Sequence, residues 1–516
     1  MSDPKKLWIK ILNKHPIYSF IIFLILLNLV AHFLPFERGA LAPDDYAILV
    51  KAQRMNITEI LSTFMRQPDR PLNFLVVLLQ AKLTDLDARI GLILVFISST
   101  FLLLTVFFLL LQLFNQRFLA GLGAIVFCLL PNKLELYHTP IFFNINLAIT
   151  IYVLSFIFFI RYIRVQKRVY FMLSIFSYTV GIFWYEVGFF LPLILVVYTY
   201  FHDKQRLTST IWFLVPSVFY SFFRITEVFG WADIQIGTRA INLFGVPQNF
   251  IEILKHYFGR YIIRSIVYGT YKFISMEPFW LLPIILANLI LLTSIFLWIR
   301  KKDIEHIDSK LLYLAGTIFI AFFIPNLLHG VGGRHTALPS IGVIILLLWA
   351  LGLAKNHWRG LVMAGVFFSL IVCQGTAWSQ VIACRINRAI FDHMERRKVE
   401  LQMADRILID TRSFADNIPY TWVENKYNVL NTYYGVQALE DWGLRSMARL
   451  VTNDYKKPIL VAVSNLKHVE NNRLEFLVVT YANDPSVPVH KMEIVPQEGT
   501  AIVDFASVFG ENACLK

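Results

Sequence analysis

Two adjacent carboxylates, Asp44 and Asp45, follow the first of several long apolar segments of the chain. Neighbouring carboxylates at the edge of an apolar environment resist joint ionisation, so one of the two is expected to have a raised pKa. Such a carboxylate suits general-base catalysis. The same pair could instead cap a helix that begins near Tyr46, because Asp is a favoured residue at helix N-termini. The residues alone leave both interpretations open.

Cationic side chains that could hold an anion occur beside other apolar segments. Arg70 precedes a short apolar run, and Arg224 ends a longer one. Arg334 and His335 follow a glycine-rich stretch, 330–333, and open a further apolar segment. Glycine lets the backbone approach a ligand closely, and the arginine fork binds phosphate oxygens in pairs. For each arginine the alternative is an interfacial side chain that contacts anionic lipid.

Three further polar residues lie between apolar segments. Glu135 and His138 belong to a short connection, 132–140, and Glu186 stands where one apolar segment ends and the next begins. A carboxylate at such a joint is costly unless it has a partner or a function. Glu186 is therefore a candidate for contact with a substrate, with a structural ion pair as the alternative. Glu135 and His138 are candidates for the same role.

The elements that must position these residues are membrane helices. The chain has 516 residues, of which 57% are hydrophobic and 16% charged, with a mean hydropathy of +0.58. Soluble domains carry about 25% charged residues, so an ordinary cytosolic enzyme is excluded. The formal net charge of +13 does not indicate a nucleic-acid partner, because the Lys and Arg residues gather in connections between apolar segments.

Apolar blocks of about 20 residues with almost no charge predict a polytopic bundle of transmembrane α-helices. The eleven predicted spans are 17–36, 89–113, 118–131, 141–160, 169–184, 187–201, 210–224, 279–299, 311–328, 336–354 and 360–379. With a cytoplasmic N-terminus, every second connection is rich in Lys and Arg, as the positive-inside rule requires. The candidate residues then all lie towards the non-cytoplasmic side. There, the outer loops 37–88 and 225–278 are predicted to carry interfacial helices, one of them at 71–83, which is too short to span.

The composition changes past residue 380. The stretch 380–405 has a helical pattern and is predicted to continue or follow the last span. Four short β-rich segments come after it, at 407–410, 459–463, 474–479 and 500–505. The sequence thus predicts a transmembrane domain, 1–380, followed by a small α/β domain, 381–516, on the non-cytoplasmic side. Cys384 and Cys514 could pair in that domain, and no cysteine has metal-site spacing.

Four short stretches together carry a family resemblance. They are Pro43-Asp44-Asp45-Tyr46, Arg70-Pro71-Leu72, Tyr185-Glu186-Val187 with Leu191-Pro192, and Arg334-His335-Thr336-Ala337-Leu338-Pro339-Ser340. In this order and spacing the chain, over about residues 1–380, resembles the GT-C class of membrane glycosyltransferases. The likeness is to the branch related to protein O-mannosyltransferases and the aminoarabinose transferase of lipid A.

The resemblance implies transfer of a sugar, with inversion, from a polyprenyl-phosphate donor at the outer membrane face. It implies that Asp44, with Asp45 beside it, is the general base on the acceptor hydroxyl, and that Arg334 and His335 hold the donor phosphate. Arg70 and Arg224 are added to the phosphate-binding set. We expect a lipid, glycan or protein acceptor and no cofactor, with a divalent metal not favoured.

Other functions remain open from the residues alone. An O-antigen ligase or polymerase would also use outer-face Arg and His but would not require Asp44. A transporter or flippase for a lipid-linked substrate would have paired halves and mid-membrane charges, neither of which the sequence shows. A membrane scaffold is a further alternative. A glycosylation sequon, Asn56-Ile57-Thr58, lies in the predicted catalytic loop, and this favours a bacterial inner membrane with an undecaprenyl-phosphate donor over a eukaryotic lumen.

Overall fold

The computed structural model describes residues 16–34, 43–66, 70–85, 87–228, 250–251, 254–300, 302–304, 307–329, 333–354, 357–410, 441–462, 466–469, 472–481 and 488–504. In chain order the helices are α1 (Pro16–Asn28), α2 (Pro43–Arg54), α3 (Ile57–Arg66), α4 (Pro71–Thr84), α5 (Ala88–Phe114), α6 (Arg117–Leu129), α7 (Glu135–His138), α8 (Phe143–Val165), α9 (Arg168–Trp184), α10 (Leu191–His202), α11 (Leu214–Val228), α12 (Ser265–Ile274), α13 (Pro278–Ile299), α14 (Ser309–His329), α15 (Ala337–Leu353), α16 (Trp358–Arg396), α17 (Lys398–Met403) and α18 (Asp441–Thr452). Short π-helical and 3₁₀ segments join them: Leu29–Phe33 and Lys255–Arg264 are π-helical, and Pro131–Lys133, Pro140–Phe142, Glu186–Gly188, Lys204–Phe213 and Gly333–Thr336 are 3₁₀.

The predicted apolar spans are helical over nearly all of the residues that the structure describes. Among the residues that the structure describes, four apolar helices are long enough to cross a membrane by length and composition: Ala88–Phe114, Pro140–Val165, Pro278–Ile299 and Trp358–Arg396. The other apolar helical stretches of the described residues have 10–17 residues, among them Ser309–Pro325 of α14. The chain is therefore an apolar helical membrane protein, whereas the count of eleven spans and the side that each connection faces stay predictions.

Local signals place the ends of the bundle helices. Asp87 caps α5, because its side chain accepts a hydrogen bond from the N–H of Arg89 at 2.9 Å. Asn115 and Gln166 have positive φ angles, 55° and 61°, and end α5 and α8. Asn tolerates this left-handed conformation better than most residues. The chain thus turns back within two residues between α5 and α6 and between α8 and α9.

Small and polar side chains join the helices inside the bundle. Asn28 donates to Ser99 at 3.0 Å, and Asn288 and Gln374 exchange two hydrogen bonds. A methyl group on Gly375 of α16 would lie 1.8 Å from the backbone oxygen of Gly269 on α12. Only glycine admits so close a helix crossing, which is typical of small residues at membrane-helix interfaces.

Helix α16 is 39 residues long and runs from the bundle into the C-terminal region. This confirms that the helical stretch after residue 380 continues the last span. The predicted domain boundary between residues 380 and 381 falls inside this one helix. The division into two domains stays a prediction.

A mixed six-stranded sheet follows α17. Its strands are β1 (Arg406–Asp410), β2 (Ile459–Ala462), β3 (Lys467–Val469), β4 (Arg473–Tyr481), β5 (Pro488–Pro496) and β6 (Thr500–Asp504). The order is β3-β4-β2-β1-β6, and β5 pairs with β4. Strand β1 is parallel to β2 and β6, whereas the β4 pairings are antiparallel. The four predicted strands are confirmed, and β3, β5 and helix α18 are additional.

Helices α2 and α4, which belong to the predicted outer loop 37–88, pack against this C-terminal region. One buried apolar cluster contains residues of α2, α4, the end of α16, α18 and the sheet. In it the ring of Tyr46 lies 5.7 Å from that of Phe391. The guanidinium of Arg54 lies 3.8 Å above the ring of Tyr455. The helices that follow the first span are therefore held between the bundle and the C-terminal sheet.

Candidate functional site

Arg70 and Glu186 form a bidentate ion pair between two connections of the bundle. Arg70 Nε donates to Glu186 Oε2 at 2.6 Å, and Arg70 Nη2 donates to Oε1. Their side chains are 30% and 17% exposed. The ion pair that the sequence left as the alternative for Glu186 is thus present. In the described part of the chain, Arg70 Nη1 has no hydrogen-bond partner.

The electrostatics of the pair favour a permanently charged arginine. Burial acts to lower the pKa of Arg70, but attraction to Glu186 and hydrogen bonding by its carboxylate outweigh it and raise the pKa above its usual value. The guanidinium also lies 4.9 Å from the centre of the Tyr185 ring, where a cation–π interaction adds to its attraction. Arg70 is therefore a fixed positive charge whose direction is set by Glu186 and Tyr185.

Tyr185 connects this pair to His335. The Tyr185 hydroxyl and His335 Nε2 share a hydrogen bond of 2.5 Å, and the two rings are nearly parallel, with centroids 5.9 Å apart. Tyr185 is buried, and His335 is partly exposed. Three predicted site residues, Arg70, Glu186 and His335, thus meet around a tyrosine that the sequence analysis had not selected. Its place beside Glu186 in the motif was the signal that could have found it.

The non-α-helical connection between α9 and α10 positions Tyr185. Its backbone is extended, and the hydroxyl of Tyr152 on α8 donates to its carbonyl oxygen at 2.7 Å. A methyl group on Gly188 would lie 2.3 Å from the Tyr152 ring, so glycine is needed for this ring to pack there. Tyr152 therefore fixes the segment that presents Tyr185 and Glu186.

The turn before His335 is fixed by a second buried network. Thr336 donates to the carbonyl oxygen of Asn132 at 2.7 Å, and the Asn132 amide donates to Ser340 at 2.7 Å. The Tyr257 hydroxyl lies 3.1 Å from the same Ser340 oxygen. The connection 131–142 and the turn Gly333–Thr336 are thereby joined. These residues were not selected from the sequence, because nothing local shows that they meet.

Asp45 forms a hydrogen bond with a different turn, Pro140–Phe142. It is buried in the first turn of α2, and its Oδ1 accepts a hydrogen bond from the N–H of Ile141 at 2.8 Å. Gln80 of α4 donates to the carbonyl of Pro140 in the same turn at 2.5 Å. Helix α2 begins at Pro43 and not near Tyr46, so the two aspartates lie within its first turn instead of preceding it. Asp45 thus joins α2 to the start of α8.

The side chains of five other predicted site residues lie outside the described part of the structure. Their backbones are placed: Asp44 in the first turn of α2, Glu135 and His138 in α7, Arg224 in α11, and Arg334 in the turn Gly333–Thr336. Cys514, with which Cys384 was considered to pair, is outside the described residues. The roles of all predicted site residues stay predictions.

The described residues contain no cluster of side chains that could bind a metal ion. Among them, no group of three or more His, Cys, Asp or Glu side chains is placed to hold a metal ion. The expected independence from a divalent metal stays a prediction.

Comparisons with known proteins give a structural likeness. No family model matches the chain, and no curated protein sequence matches it either. The structure of ArnT from Cupriavidus metallidurans bound to undecaprenyl phosphate is similar at 12% identity and a TM-score of 0.38, over 86% of this chain and 89% of that one. The apo structure of the same protein is similar at 12% identity and a TM-score of 0.39, over 90% and 87%.

ArnT is the lipid A aminoarabinose transferase of the GT-C class, the class that the four sequence motifs resemble. The function is proposed from the residues and contacts of this chain.

Proposed function

We propose that this protein is an inverting membrane glycosyltransferase that moves a sugar from a polyprenyl-phosphate donor to a lipid, glycan or protein acceptor at the outer membrane face. The observation that carries the proposal is the contact chain Glu186–Arg70–Tyr185–His335, built from three separate connections. It gathers a fixed cation and a histidine beside the turn that contains Arg334. Cations in this arrangement suit a phosphate leaving group.

Arg70 has the geometry to contribute to phosphate binding while paired. The Nε and Nη2 groups of Arg70 donate to Glu186, so the N–H groups of Nη1 remain to bind a substrate. A guanidinium oriented by a carboxylate loses little conformational entropy when it binds. Arg334, His335 and Arg224 are assigned to the same phosphate. As the sugar leaves, these donors stabilise the charge that develops on the polyprenyl phosphate.

Asp44 is assigned as the general base. It removes the proton from the acceptor hydroxyl as that oxygen forms a bond to the anomeric carbon, and the bond from this carbon to the phosphate oxygen breaks on the opposite face. Asp45 positions α2 through its hydrogen bond to Ile141, so it acts on the base through the helix that they share. Glu135, His138 and Glu186 are assigned to contacts with the sugar or the acceptor.

The test is transfer of radiolabelled sugar from polyprenyl-phosphate donors in membranes that contain matched amounts of each variant. We expect Asp44→Asn to abolish transfer while donor binding is retained, and Arg334→Ala to weaken donor binding. Glu59→Gln is the matched control. Glu59 is an exposed carboxylate of the same loop, and glutamine can keep its reciprocal capping bonds with Asn56.

One outcome contradicts the assignment of the base. If Asp44→Asn remains fully active while Arg334→Ala is inactive, the aspartate pair is structural and the ligase-type reaction becomes the better explanation. If no variant changes transfer, the residue assignments are wrong. If membranes that contain the unaltered protein transfer no more sugar than membranes without it, the proposed transferase function is wrong.

A further inference from the structure

An apolar cavity of about 600 Å³ lies among the bundle helices α1, α5, α6 and α13. This volume is in the range of known small-molecule sites. Aromatic rings form much of its wall, those of Phe20, Phe107, Phe118 and Trp298, and two cations, Arg117 and Lys302, belong to its lining. Nothing in the proposed transfer reaction uses this cavity.

The cavity lies at the other end of the bundle from Arg70 and His335. Arg117 is the first residue of α6. The turn Pro131–Lys133 comes after the other end of this helix, and it is hydrogen-bonded to the turn that contains His335. A 13-residue helix separates the two ends by about 20 Å. In the predicted topology, Arg117 and Lys302 are on the cytoplasmic side. The cavity is therefore distinct from the candidate catalytic site.

The aromatic wall is tightly packed. The Trp298 ring stacks on that of Phe20 with centroids 5.2 Å apart, and its distance to the Phe118 ring is 4.9 Å. A methyl group on Gly121 of α6 would lie 2.8 Å from Phe20 and 2.9 Å from Trp298. Glycine at this position admits both rings. The rings form an apolar surface to which a hydrocarbon chain can bind.

The charge at the cavity is positive. Arg117 and Lys302 are both exposed, and within the described residues neither has a carboxylate partner. The nearby carboxylate of Asp303 is paired with Arg359 at 2.8 Å. Arg359 also donates to the carbonyl oxygen of Lys302 at 2.7 Å, which fixes the backbone that carries the second cation.

We propose that this cavity binds an anionic phospholipid, with the headgroup phosphate between Arg117 and Lys302 and an acyl chain along the aromatic wall. The two cations account for a preference for negative charge. The apolar interior accounts for a lipid instead of a free phosphate ion. This proposal does not depend on the proposed transferase function, because the cavity and the candidate catalytic residues are at opposite ends of α6.

The first test is native mass spectrometry of the full chain in detergent with added phosphatidylglycerol, phosphatidylcholine or soluble glycerol phosphate. We expect phosphatidylglycerol to bind most tightly and glycerol phosphate not to bind. Removing both charges with Arg117→Gln and Lys302→Gln should weaken phosphatidylglycerol binding about thirtyfold. Arg168→Gln is the matched control, because Arg168 is an exposed cation that opens another helix, α9, at the same predicted membrane face.

A second variant tests the cavity itself. Ser294 is an exposed residue of the lining, and Ser294→Phe places a ring in the space without removing a charge. It should weaken phosphatidylglycerol binding, whereas Arg168→Gln should not. Equal loss in Arg168→Gln, unchanged binding in both the double variant and Ser294→Phe, or equal binding of glycerol phosphate would overturn the proposal.

Photo-crosslinking of the unaltered protein checks the location without any variant. Phosphatidylglycerol with a diazirine on its acyl chain should label peptides that contain Phe20 or Trp298. Labelling confined to other helices would contradict the site even if the variants fail to fold.

Discussion

The hydroxyl of Tyr185 and Nε2 of His335 lie 2.5 Å apart, although the two residues are 150 positions apart in sequence. This bond connects the segment between α9 and α10 to the turn that precedes α15. It makes the position of one predicted phosphate ligand depend on a tyrosine that is itself buried against Tyr152.

Tyr185→Phe should separate positioning from chemistry. Loss of one hydrogen bond, of about 1 kcal/mol, should raise the donor KM about fivefold and leave kcat within about twofold. Initial rates of sugar transfer over a range of donor concentrations measure this. Tyr178→Phe is the control, since Tyr178 is also a buried tyrosine but bonds to Phe189 and Ser217. An unchanged KM in Tyr185→Phe would mean that His335 does not bind the donor.

The Arg70–Glu186 pair should be sensitive to the shape of the cation. Arg70→Lys keeps the charge but cannot form two parallel hydrogen bonds with Glu186, and we expect a loss of about 1.5 to 3 kcal/mol in stability. The Tm of the purified protein measures this. A double-mutant cycle with Glu186→Gln should show strong coupling between the two positions. Additive effects would indicate that the pair contributes little.

The C-terminal region should contribute to activity through α2. Removing the guanidinium in Arg54→Ala breaks its contact with Tyr455, of about 0.5 to 1 kcal/mol, and should loosen the helix that carries Asp44. We expect kcat to fall by about threefold while donor KM is unchanged, with faster hydrogen exchange in α2. Tyr455→Phe is the control because it keeps the ring. Normal exchange in Arg54→Ala would show that this contact does not hold α2.

Lys133 should give the protein a pH-dependent stability. It is fully buried, and its amine donates to the carbonyl oxygens of Phe127 and Leu130. Burial, which outweighs the opposing effects of Cys128 and Cys373, lowers its pKa to about 8, from 10.5 in the unfolded chain. Between these values the unfolded state binds more protons, so the contribution of Lys133 to stability rises with pH.

The measurement is the Tm of the unaltered protein minus that of Lys133→Met. We expect this difference to be constant below about pH 7 and to increase from about pH 8 to pH 10. A difference that stays constant from about pH 8 to pH 10 would mean that the buried amine stays charged.

The predicted sidedness can be tested by adding one cysteine at a time to a background without Cys384 and Cys514, in which the remaining Cys128 and Cys373 are buried. Met403 is 80% exposed beyond the end of α16, and Ser309 is exposed at the start of α14. In intact cells an impermeant maleimide should label Met403→Cys but not Ser309→Cys. After permeabilisation both should react. The reverse pattern would show that the topology is inverted.

The sequence was informative about the bundle because apolar length and cap residues act locally. Asp87 and Asn115 bound α5 through their own backbone preferences. Strand β5 was not predicted, because Lys491 and Glu493 interrupt its apolar pattern, although it pairs with β4 along its whole length. Hydrogen bonding to β4 therefore stabilises β5 as a strand, although its own sequence pattern does not predict one.

The candidate site was predictable as a set of residues and not as a set of contacts. Arg70 and Glu186 are 116 positions apart, and no periodicity indicates that their connections meet. Tyr185 was overlooked because a tyrosine beside apolar segments is ordinary. Only the helix packing shows that its ring faces Arg70 and its hydroxyl faces His335.

The close crossing of Gly269 and Gly375 has a mechanical consequence. Helix α16 is about 58 Å long, and its last 21 residues extend about 30 Å beyond the crossing. If the crossing is a pivot, a tilt of the membrane half by about 10° moves the far end by about 5 Å. Since that end packs against α2 through Phe391, the continuous helix can convert a small rotation among the spans into displacement of the aspartate pair.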